Sequence, residues 1–306
     1  MKVLIVSRYK ENFPSHMVPF VEEQGEALRG KGVNVDFFQI KGSYFRTREF
    51  KKKIRTFEPD IIHAHYGLSG ITAVLQSKVP VIITFHNGET LNFFVNFISS
   101  LFSLRAKHVI YVAQHIYDKC IFKRKDRYTI LPCGVNLADC MITVFEQARK
   151  QLGFSPDKKH ILFGGAFDNL RKNYPLLHEA IKLSGRKDIE VLEMKGLSRE
   201  EITLRMCGCD LFALPSKSEG SPQALKEAMS CNCPILATDV ADIKHLLGDL
   251  PGHYICSLCP DNVTEELLCA LEFDGRTEGR KRIIELGLTN DNIAERLIEI
   301  YNQVIG

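Results

Sequence analysis

Residues 211–230, LFALPSKSEGSPQALKEAMS, carry the pattern that decides the fold of this chain. The apolar run Leu211–Leu214 predicts a buried strand, and the Pro- and Ser-containing segment after it predicts a loop. Ser221 is a favourable helix cap and Pro222 is favoured at the first helical position, so we expect a helix to begin there. Its first-turn amides then lie at the carboxyl edge of a sheet, where they form an anion site suited to a phosphate.

Two glutamates flank this helix start. Glu219 precedes it, Glu227 lies about one and a half turns inside it, and Gly220 lets a ligand approach the backbone closely. A carboxylate can accept hydrogen bonds from two neighbouring sugar hydroxyls. The arrangement therefore indicates a sugar, a phosphate and a second sugar in a row, which is a nucleotide sugar. The alternative is that Glu219 is an ordinary stabilising charge at a helix N-terminus.

Strand-like runs alternate with helical patterns along the whole chain, which predicts parallel sheets with crossover helices. The predicted strands are 3–7, 33–38, 61–64, 79–85, 109–112 and 128–131 in the first half, and 161–164, 189–192, 211–214, 234–237 and 254–256 in the second. The alternation stops between Leu137 and Lys159. We therefore expect an α/β protein with two doubly wound domains, 1–145 and 146–306, facing a central cleft, and a last helix at 290–306 that packs across the junction.

Composition fits a folded protein with about two domains: 306 residues, 45% apolar and 25% charged. Residues 1–150 hold 22 lysines and arginines against 13 aspartates and glutamates, a charge of +9, whereas residues 151–306 carry 18 against 24, a charge of −6. The basic half indicates either an anionic partner or solvated surface runs such as 51–53 and 123–125. These runs lack interleaved aromatic residues, which argues against a nucleic-acid partner.

The ten cysteines are irregularly spaced and predict free thiols in a reducing compartment rather than a metal site. The apolar run Val3–Val6 is too short for a signal peptide, and no apolar stretch reaches the 18 residues of a membrane span. We expect a cytoplasmic protein. Residues 91–104 form a helical stripe of apolar side chains, which either packs on its own domain or lies on an anionic membrane at its inner face.

The segment 215–229 resembles the signature of retaining GT-B glycosyltransferases of family 4, in which seven residues separate two glutamates. The matching positions are Pro215-Ser216, Glu219-Gly220, Pro222 and Glu227-Ala228-Met229. The resemblance implies that Glu219 holds the donor sugar and Glu227 holds the ribose. Phe163-Gly164-Gly165 followed by Arg171-Lys172 resembles the family's glycine-rich strand end and its cations, which neutralise a leaving diphosphate without a metal or other cofactor.

Other landmarks of the family recur in order. His86, at the end of a predicted strand, resembles the histidine that faces the reacting sugar, and Gly134 and Asn136 resemble a strained turn and a donor contact. The first loop departs from the family because residues 7–16 contain no glycine, so Ser15 and His16 are the candidates to replace that phosphate contact. His63 and His65 are predicted to be scaffold.

The resemblance implies a hexosyltransferase that moves a sugar from a nucleotide sugar to a hydroxyl acceptor, in surface polysaccharide or glycolipid synthesis. The acceptor would be a glycan or a lipid-linked sugar bound by the first domain. Two alternatives keep the fold: an epimerase or hydrolase of the nucleotide sugar, and a non-catalytic sugar-nucleotide-binding protein. A dehydrogenase is disfavoured because no G-x-G-x-x-G follows a strand.

Overall fold

A computed structural model describes residues 1–11, 15–45 and 47–306 as two compact α/β units. Unit 1 consists of Met1–Gly134 and Leu288–Gly306, and unit 2 consists of Val135–Gly287. The division lies between residues 134 and 135, ahead of the boundary at 145 predicted from the sequence. The reason is that the segment ahead of the helix Phe145–Leu152 already contacts unit 2, as when Arg280 donates to the carbonyls of Leu137 and Cys140.

Unit 1 is built on a parallel six-stranded sheet of order β2-β1-β3-β4-β5-β6. Its strands are β1 (Lys2–Arg8), β2 (Asn34–Ile40), β3 (Ile61–His65), β4 (Val81–Phe85), β5 (His108–Tyr111) and β6 (Tyr128–Ile130). Its helices are α1 (Pro19–Gly30), α2 (Arg48–Phe57), α3 (Gly67–Val74), α4 (Phe93–Ser103) and α5 (Gln114–Lys119), with a short 3-10 turn over Gly88–Thr90. The strands β3 and β4 are buried along their whole length, as expected for a sheet covered on both faces.

Unit 2 contains a parallel five-stranded sheet of order β11-β10-β9-β7-β8. Its strands are β7 (Lys159–Phe163), β8 (Ile189–Glu193), β9 (Leu211–Leu214), β10 (Ile235–Thr238) and β11 (His253–Cys256). Its helices are α6 (Phe145–Leu152), α7 (Tyr174–Leu183), α8 (Arg199–Gly208), α9 (Gln223–Ser230), α10 (Ile243–Leu247), α11 (Pro260–Glu272) and α12 (Gly279–Glu285). The predicted α/β fold with doubly wound sheets is confirmed.

The last helix, α13 (Asn290–Ile305), belongs to unit 1 and begins where Thr289 accepts a hydrogen bond from the amide of Asn292. Its apolar stripe packs against α1, beside an ion pair of 2.6 Å between Lys31 Nζ and Glu295 Oε1. Tyr301 on the same helix is fully buried and bonds to His63 of β3. The chain therefore returns to the first sheet after completing the second unit.

Helix α4 packs on its own unit with its polar side chains inward. Asn96, Ser99, Ser100 and Ser103 are buried, whereas the apolar side chains on the other face are exposed. The inner face is small because α3 approaches closely: a Cβ on Gly67 would lie 2.5 Å from the Cβ of Ser99. Within residues 1–11, 15–45 and 47–306, no helix has the length and apolar character that a membrane span requires.

Gly134 does not adopt the strained turn expected from the sequence, since its φ is not positive. A Cβ at this position would instead lie 2.5 Å from Asn290 Oδ1 and 2.8 Å from Asn290 Cα, so glycine is required by the close approach of the start of α13. The constraint is one of space rather than of backbone conformation.

We predict that Gly134→Ala lowers the free energy of unfolding by about 1–3 kcal/mol, because the added methyl group must displace the backbone of Asn290. Urea denaturation measures the change. Gly30→Ala, at the end of α1 where nothing lies within 4 Å of the added Cβ, is the matched control and should not destabilise the chain. Equal stability of Gly134→Ala and wild type would contradict this account of Gly134.

Candidate active site

The strand order of unit 2 reverses between β7 and β9. β8 lies on one side of β7 and β9 on the other, and the amide of Gly164 donates to the carbonyl of Ala213 at 2.9 Å, so the two strands end side by side. In open parallel sheets, ligands bind outside the carboxyl ends of the strands at such a reversal. The loops that leave β7 and β9 here carry the predicted residues of the donor site.

Lys172 lies in the loop that leaves β7. A Cβ on Gly165 would lie 2.7 Å from Lys172 Cγ, so the glycine gives the lysine side chain room to cross the backbone. The amide of Lys172 donates to the carbonyl of Asn169 at 2.9 Å, and Asn173 then adopts a left-handed conformation before α7 begins. Lys172 Nζ donates to Glu219 Oε1 at 2.8 Å.

Glu219 lies in the loop that leaves β9, and only 5% of it is exposed. Its Oε1 also accepts a hydrogen bond of 2.7 Å from Ser216 Oγ. The loop is fixed by Thr238 Oγ1, which donates to the carbonyl of Ser216 at 2.6 Å, and by the amide of Lys217, which donates to the carbonyl of Arg171 at 2.9 Å. The ion pair is therefore positioned by backbone contacts between two loops, which limits its freedom to rearrange.

Glu227 lies on α9 and is largely buried. Arg199, the first residue of α8, donates from Nη1 to Glu227 Oε1 at 2.7 Å and lies 3.8 Å from Asp139 Oδ2. Burial raises the pKa of Glu227, and the nearby guanidinium of Arg199 opposes that rise. The ion pair holds one carboxylate oxygen of Glu227 in a fixed direction.

The start of α9 differs from the sequence-based expectation. The helix begins at Gln223, and Pro222 has the extended backbone of an N-cap residue, with φ −69° and ψ 115°. Ser221 is therefore not the cap, and Pro222 is not the first helical residue. The Oγ of Ser221 is buried and has no hydrogen-bond partner in the described part of the chain. Ser221 and Gly220 remain next to Glu219 in the loop.

Unit 1 places His63 and His65 of β3 side by side with His86, which follows β4. The rings of His63 and His65 stack with centroids 4.6 Å apart, and His65 Nδ1 lies 3.2 Å from His86 Nε2. His63 bonds to Tyr301 at 2.6 Å and to Thr84 at 2.7 Å. The rings of Phe20 and Tyr66 cover His86 at 5.0 and 4.6 Å.

The hydrogen bonds of His65 define its tautomer. Gln24 Nε2, an amide nitrogen that can only donate, lies 3.4 Å from His65 Nε2, which must therefore accept. Burial lowers the pKa of His65 to about 3, so the ring is neutral and carries its proton on Nδ1. That Nδ1–H donates to His86 Nε2. His65 thus orients the ring of His86 and makes its Nε2 an acceptor.

Glu89, a buried carboxylate, binds the backbone of His86. Glu89 accepts hydrogen bonds from the amide of Gly67 at 2.8 Å and from the amide of His86 at 3.2 Å. Burial raises the pKa of Glu89, and these backbone donors oppose that rise. Glu89 thereby joins the end of β4 to the beginning of α3 and fixes the backbone of His86.

Comparisons with known proteins match both halves of the chain. The family model of Glycosyltransferase Family 4 matches residues 14–139, and that of Glycosyl transferases group 1 matches residues 139–272. TuaC of Bacillus subtilis, a glycosyltransferase assigned to teichuronic acid biosynthesis, is 25% identical over 64% of this chain. The match covers 57% of TuaC, less than two thirds of that protein.

Solved structures show the same fold. Sucrose-phosphate synthase from Thermosynechococcus elongatus superposes with a TM-score of 0.80 at 16% identity, over 99% of this chain and 98% of the other. HepE from Anabaena, solved in complex with UDP, gives 0.78 at 14% identity, over 99% and 100%. This chain belongs to the GT-B glycosyltransferases.

Within this GT-B glycosyltransferase, four of the predicted site residues have local structural contacts. Asn136 Oδ1 accepts from the amide of Ala138 at 3.1 Å, and Ser15 Oγ donates to Glu22 Oε2 at 2.7 Å. The ring of His16 lies 4.5 Å from that of Tyr9.

Arg171 is the fourth of these residues, and its backbone carbonyl accepts the hydrogen bond from the amide of Lys217 described above. Its guanidinium forms no ion pair with any residue that the structure describes. Its predicted role as a second cation therefore stays a prediction.

Sequence reasoning missed the partners that hold the predicted residues. Arg199 carried a usable signal, because Ser198 and Glu201 form a capping box that places a helix start at the end of β8, next to α9. Gln24 carried no local signal for its contact with His65, and Glu89 carried none for its contact with Gly67, since those contacts join separate elements.

The raised pKa of Glu227 predicts the direction in which the free energy of unfolding changes with pH. The folded carboxyl binds its proton at a higher pH than the unfolded one, so the contribution of Glu227 to stability is lost as the pH rises through the folded pKa. Glu227→Gln cannot ionise. We expect its unfolding free energy, relative to wild type, to increase from about pH 4 to about pH 7 in denaturant titrations. Glu200→Gln, at an exposed glutamate of α8, is the control variant, and a decrease for Glu227→Gln would be the contrary result.

The lowered pKa of His65 predicts the opposite slope. The unfolded chain binds a proton near pH 6.5 and the folded ring only near pH 3, so acidification between these values destabilises wild type. His65→Gln should reduce this loss by about 1.4 kcal/mol per pH unit between about pH 6 and pH 4. Denaturant titrations measure both chains, with the exposed His178→Gln as control. An acid slope equal to that of wild type would show that His65 titrates normally.

Proposed function

We propose that this chain is a family 4 enzyme that transfers a hexosyl group from a nucleoside diphosphate sugar to a hydroxyl acceptor with retention of configuration. The observation that carries the proposal is the ion pair between Lys172 and Glu219 at the strand reversal of unit 2. A cation suited to a diphosphate and a carboxylate suited to sugar hydroxyls are thereby held 2.8 Å apart. The diphosphate and the sugar of a nucleotide sugar are covalently joined, and they would therefore bind to the adjacent side chains of Lys172 and Glu219.

Each candidate site residue of unit 2 then has a defined role. Lys172 binds the diphosphate and offsets the charge that develops as it leaves, and Arg171 is its second cation. Glu219 accepts hydrogen bonds from the transferred sugar, and Glu227, oriented by Arg199, accepts them from the ribose. Gly220, Ser221 and Pro222 form the loop over the diphosphate. The lysine supplies the charge that a metal supplies in other transferases, so we propose that no metal is needed.

The bond changes follow from retention. The bond between the anomeric carbon and the diphosphate oxygen breaks, and its electron pair leaves with the diphosphate. The acceptor oxygen forms a new bond to the anomeric carbon on the same face, and its proton passes to an oxygen of the leaving diphosphate. We propose that unit 1 binds the acceptor and that His86, with Nε2 held as an acceptor by His65, contacts the reacting sugar.

The pathway proposal rests on a relative. TuaC is assigned to teichuronic acid biosynthesis, which supports a role for this chain in surface polysaccharide or glycolipid synthesis with a glycan or lipid-linked acceptor. HepE was solved with UDP and UDP-glucose, which makes uridine nucleotides the first donors to test.

A panel of nucleoside diphosphate sugars tested by thermal shift identifies the donor. A donor at 100 times its Kd should stabilise the protein by about 2.7 kcal/mol. Product analysis with that donor, with and without saccharide acceptors, then tests the reaction. Transfer should require acceptor, whereas acceptor-independent hydrolysis or epimerisation would replace the proposal with one of those activities.

We predict that Lys172→Ala lowers kcat about 100- to 1000-fold, because the leaving diphosphate loses its buried cation. Glu219→Ala and Glu227→Ala should also sharply reduce transfer while the proteins stay folded by circular dichroism. The matched control is Lys187→Ala, at an exposed lysine of the same unit. Wild-type turnover in Lys172→Ala would exclude the role given to Lys172.

A further inference from the structure

The outer face of α4 and the residues beside it form an apolar surface, which we call the α4 surface. Phe93 and Phe94 are 67% and 74% exposed, and the remaining large side chains of the surface are between 37% and 61% exposed. They are Phe45, Leu91, Phe97, Ile98, Leu101, Leu104 and Ile121. Single exposed apolar residues are common, but a contiguous group of this kind marks a place where another surface binds.

The polar inner face shows that this orientation of α4 is fixed. Asn96 donates to the carbonyl of Lys119 at 2.8 Å and accepts from the amide of Ile121 at 3.3 Å. Ser100 Oγ accepts from the amide of Phe122 at 3.2 Å. Turning the apolar side chains inward would break these bonds and would place phenylalanines where only the serines fit against Gly67.

The same contacts hold a basic segment beside the apolar surface. The segment that follows α5 is bonded to the inner face of α4, and the ring of Phe122 lies 5.2 Å from that of Phe97. Residues 91–127 contain seven lysines and arginines and two aspartates, a formal charge of +5. Arg105, Lys107, Lys119 and Lys125 are exposed.

We propose that the α4 surface docks on an anionic lipid bilayer. Phenylalanine and leucine side chains would enter the acyl boundary while the flanking cations attract the charged headgroups. A second copy of this chain is a poorer occupant, because it would bring another charge of +5 to the same face. Residues 91–104 also contain no tyrosine, tryptophan or arginine, the side chains that dominate binding energy at protein interfaces.

If the chain is the proposed transferase, docking on a bilayer implies that its acceptor is a sugar linked to a lipid in that bilayer. This consequence rests on the proposed function. The docking itself does not depend on catalysis. Nucleotide binding by unit 2 can be measured on the same variants, so failure of docking and failure of the proposed activity give separate results.

The chain contains no tryptophan, so a single introduced tryptophan reports its own environment. Phe94→Trp should shift its fluorescence to shorter wavelength with vesicles of phosphatidylcholine containing about 30% phosphatidylglycerol, and far less with phosphatidylcholine alone. Met141→Trp, at a position of unit 2 that is 72% exposed, is the matched reporter and should not shift. Equal shifts at both positions, or none at Phe94→Trp, would overturn the proposal.

Vesicle sedimentation supplies a second test. F93S/F94S should bind the anionic vesicles at least about tenfold more weakly than wild type, whereas M141S/L170S removes equally exposed side chains of unit 2 and should bind like wild type. Circular dichroism and the thermal shift with nucleotide verify that both variants are folded. If wild type does not sediment but self-associates, and F93S/F94S abolishes that association, the surface belongs to a second copy and the proposal is wrong.

Discussion

An ammonium group and a carboxylate, both largely withdrawn from solvent, meet at the carboxyl edge of the second sheet. Charged groups in such a position must be paired, since removing one partner leaves a buried charge uncompensated. The pairing of Lys172 with Glu219 in turn requires a glycine under the lysine, a serine hydroxyl on the carboxylate, and two neighbouring strands that end at the same level. The doubly wound sheet supplies those strands, and the donor site is a consequence of where its order reverses.

The two units use burial in opposite ways. Unit 2 gathers ionised groups, and its glutamates and basic residues hold one another in fixed directions. Unit 1 gathers histidines, and burial keeps His63 and His65 uncharged by lowering the pKa of each ring. Neutral, hydrogen-bonded rings define the tautomer of their neighbour without adding charge. The same unit carries the apolar α4 surface outside, because close packing of α3 on α4 leaves room only for small polar side chains inside.

The sequence predicted the elements and much of the donor site. All eleven strands appear within a few residues of their predicted positions, because each is a short apolar or β-branched run bounded by turn residues. Lys172 and Glu219 could be brought together because parallel strands place their carboxyl ends at one edge. Long-range contacts were not predictable in this way. Such contacts join distant segments of the chain: Arg199 with Glu227, Gln24 with His65, and Asn290 with Gly134. The prediction of a cap at Ser221 was wrong for a local reason, because Pro222 has an extended backbone and the helix begins only at Gln223.

A crystal structure with the nucleoside diphosphate of the preferred donor tests the central claim most directly. We predict a diphosphate oxygen within about 3 Å of Lys172 Nζ and the ribose hydroxyls on Glu227. A nucleotide bound elsewhere on unit 2, with Lys172 still paired to Glu219 and away from phosphate, would contradict it.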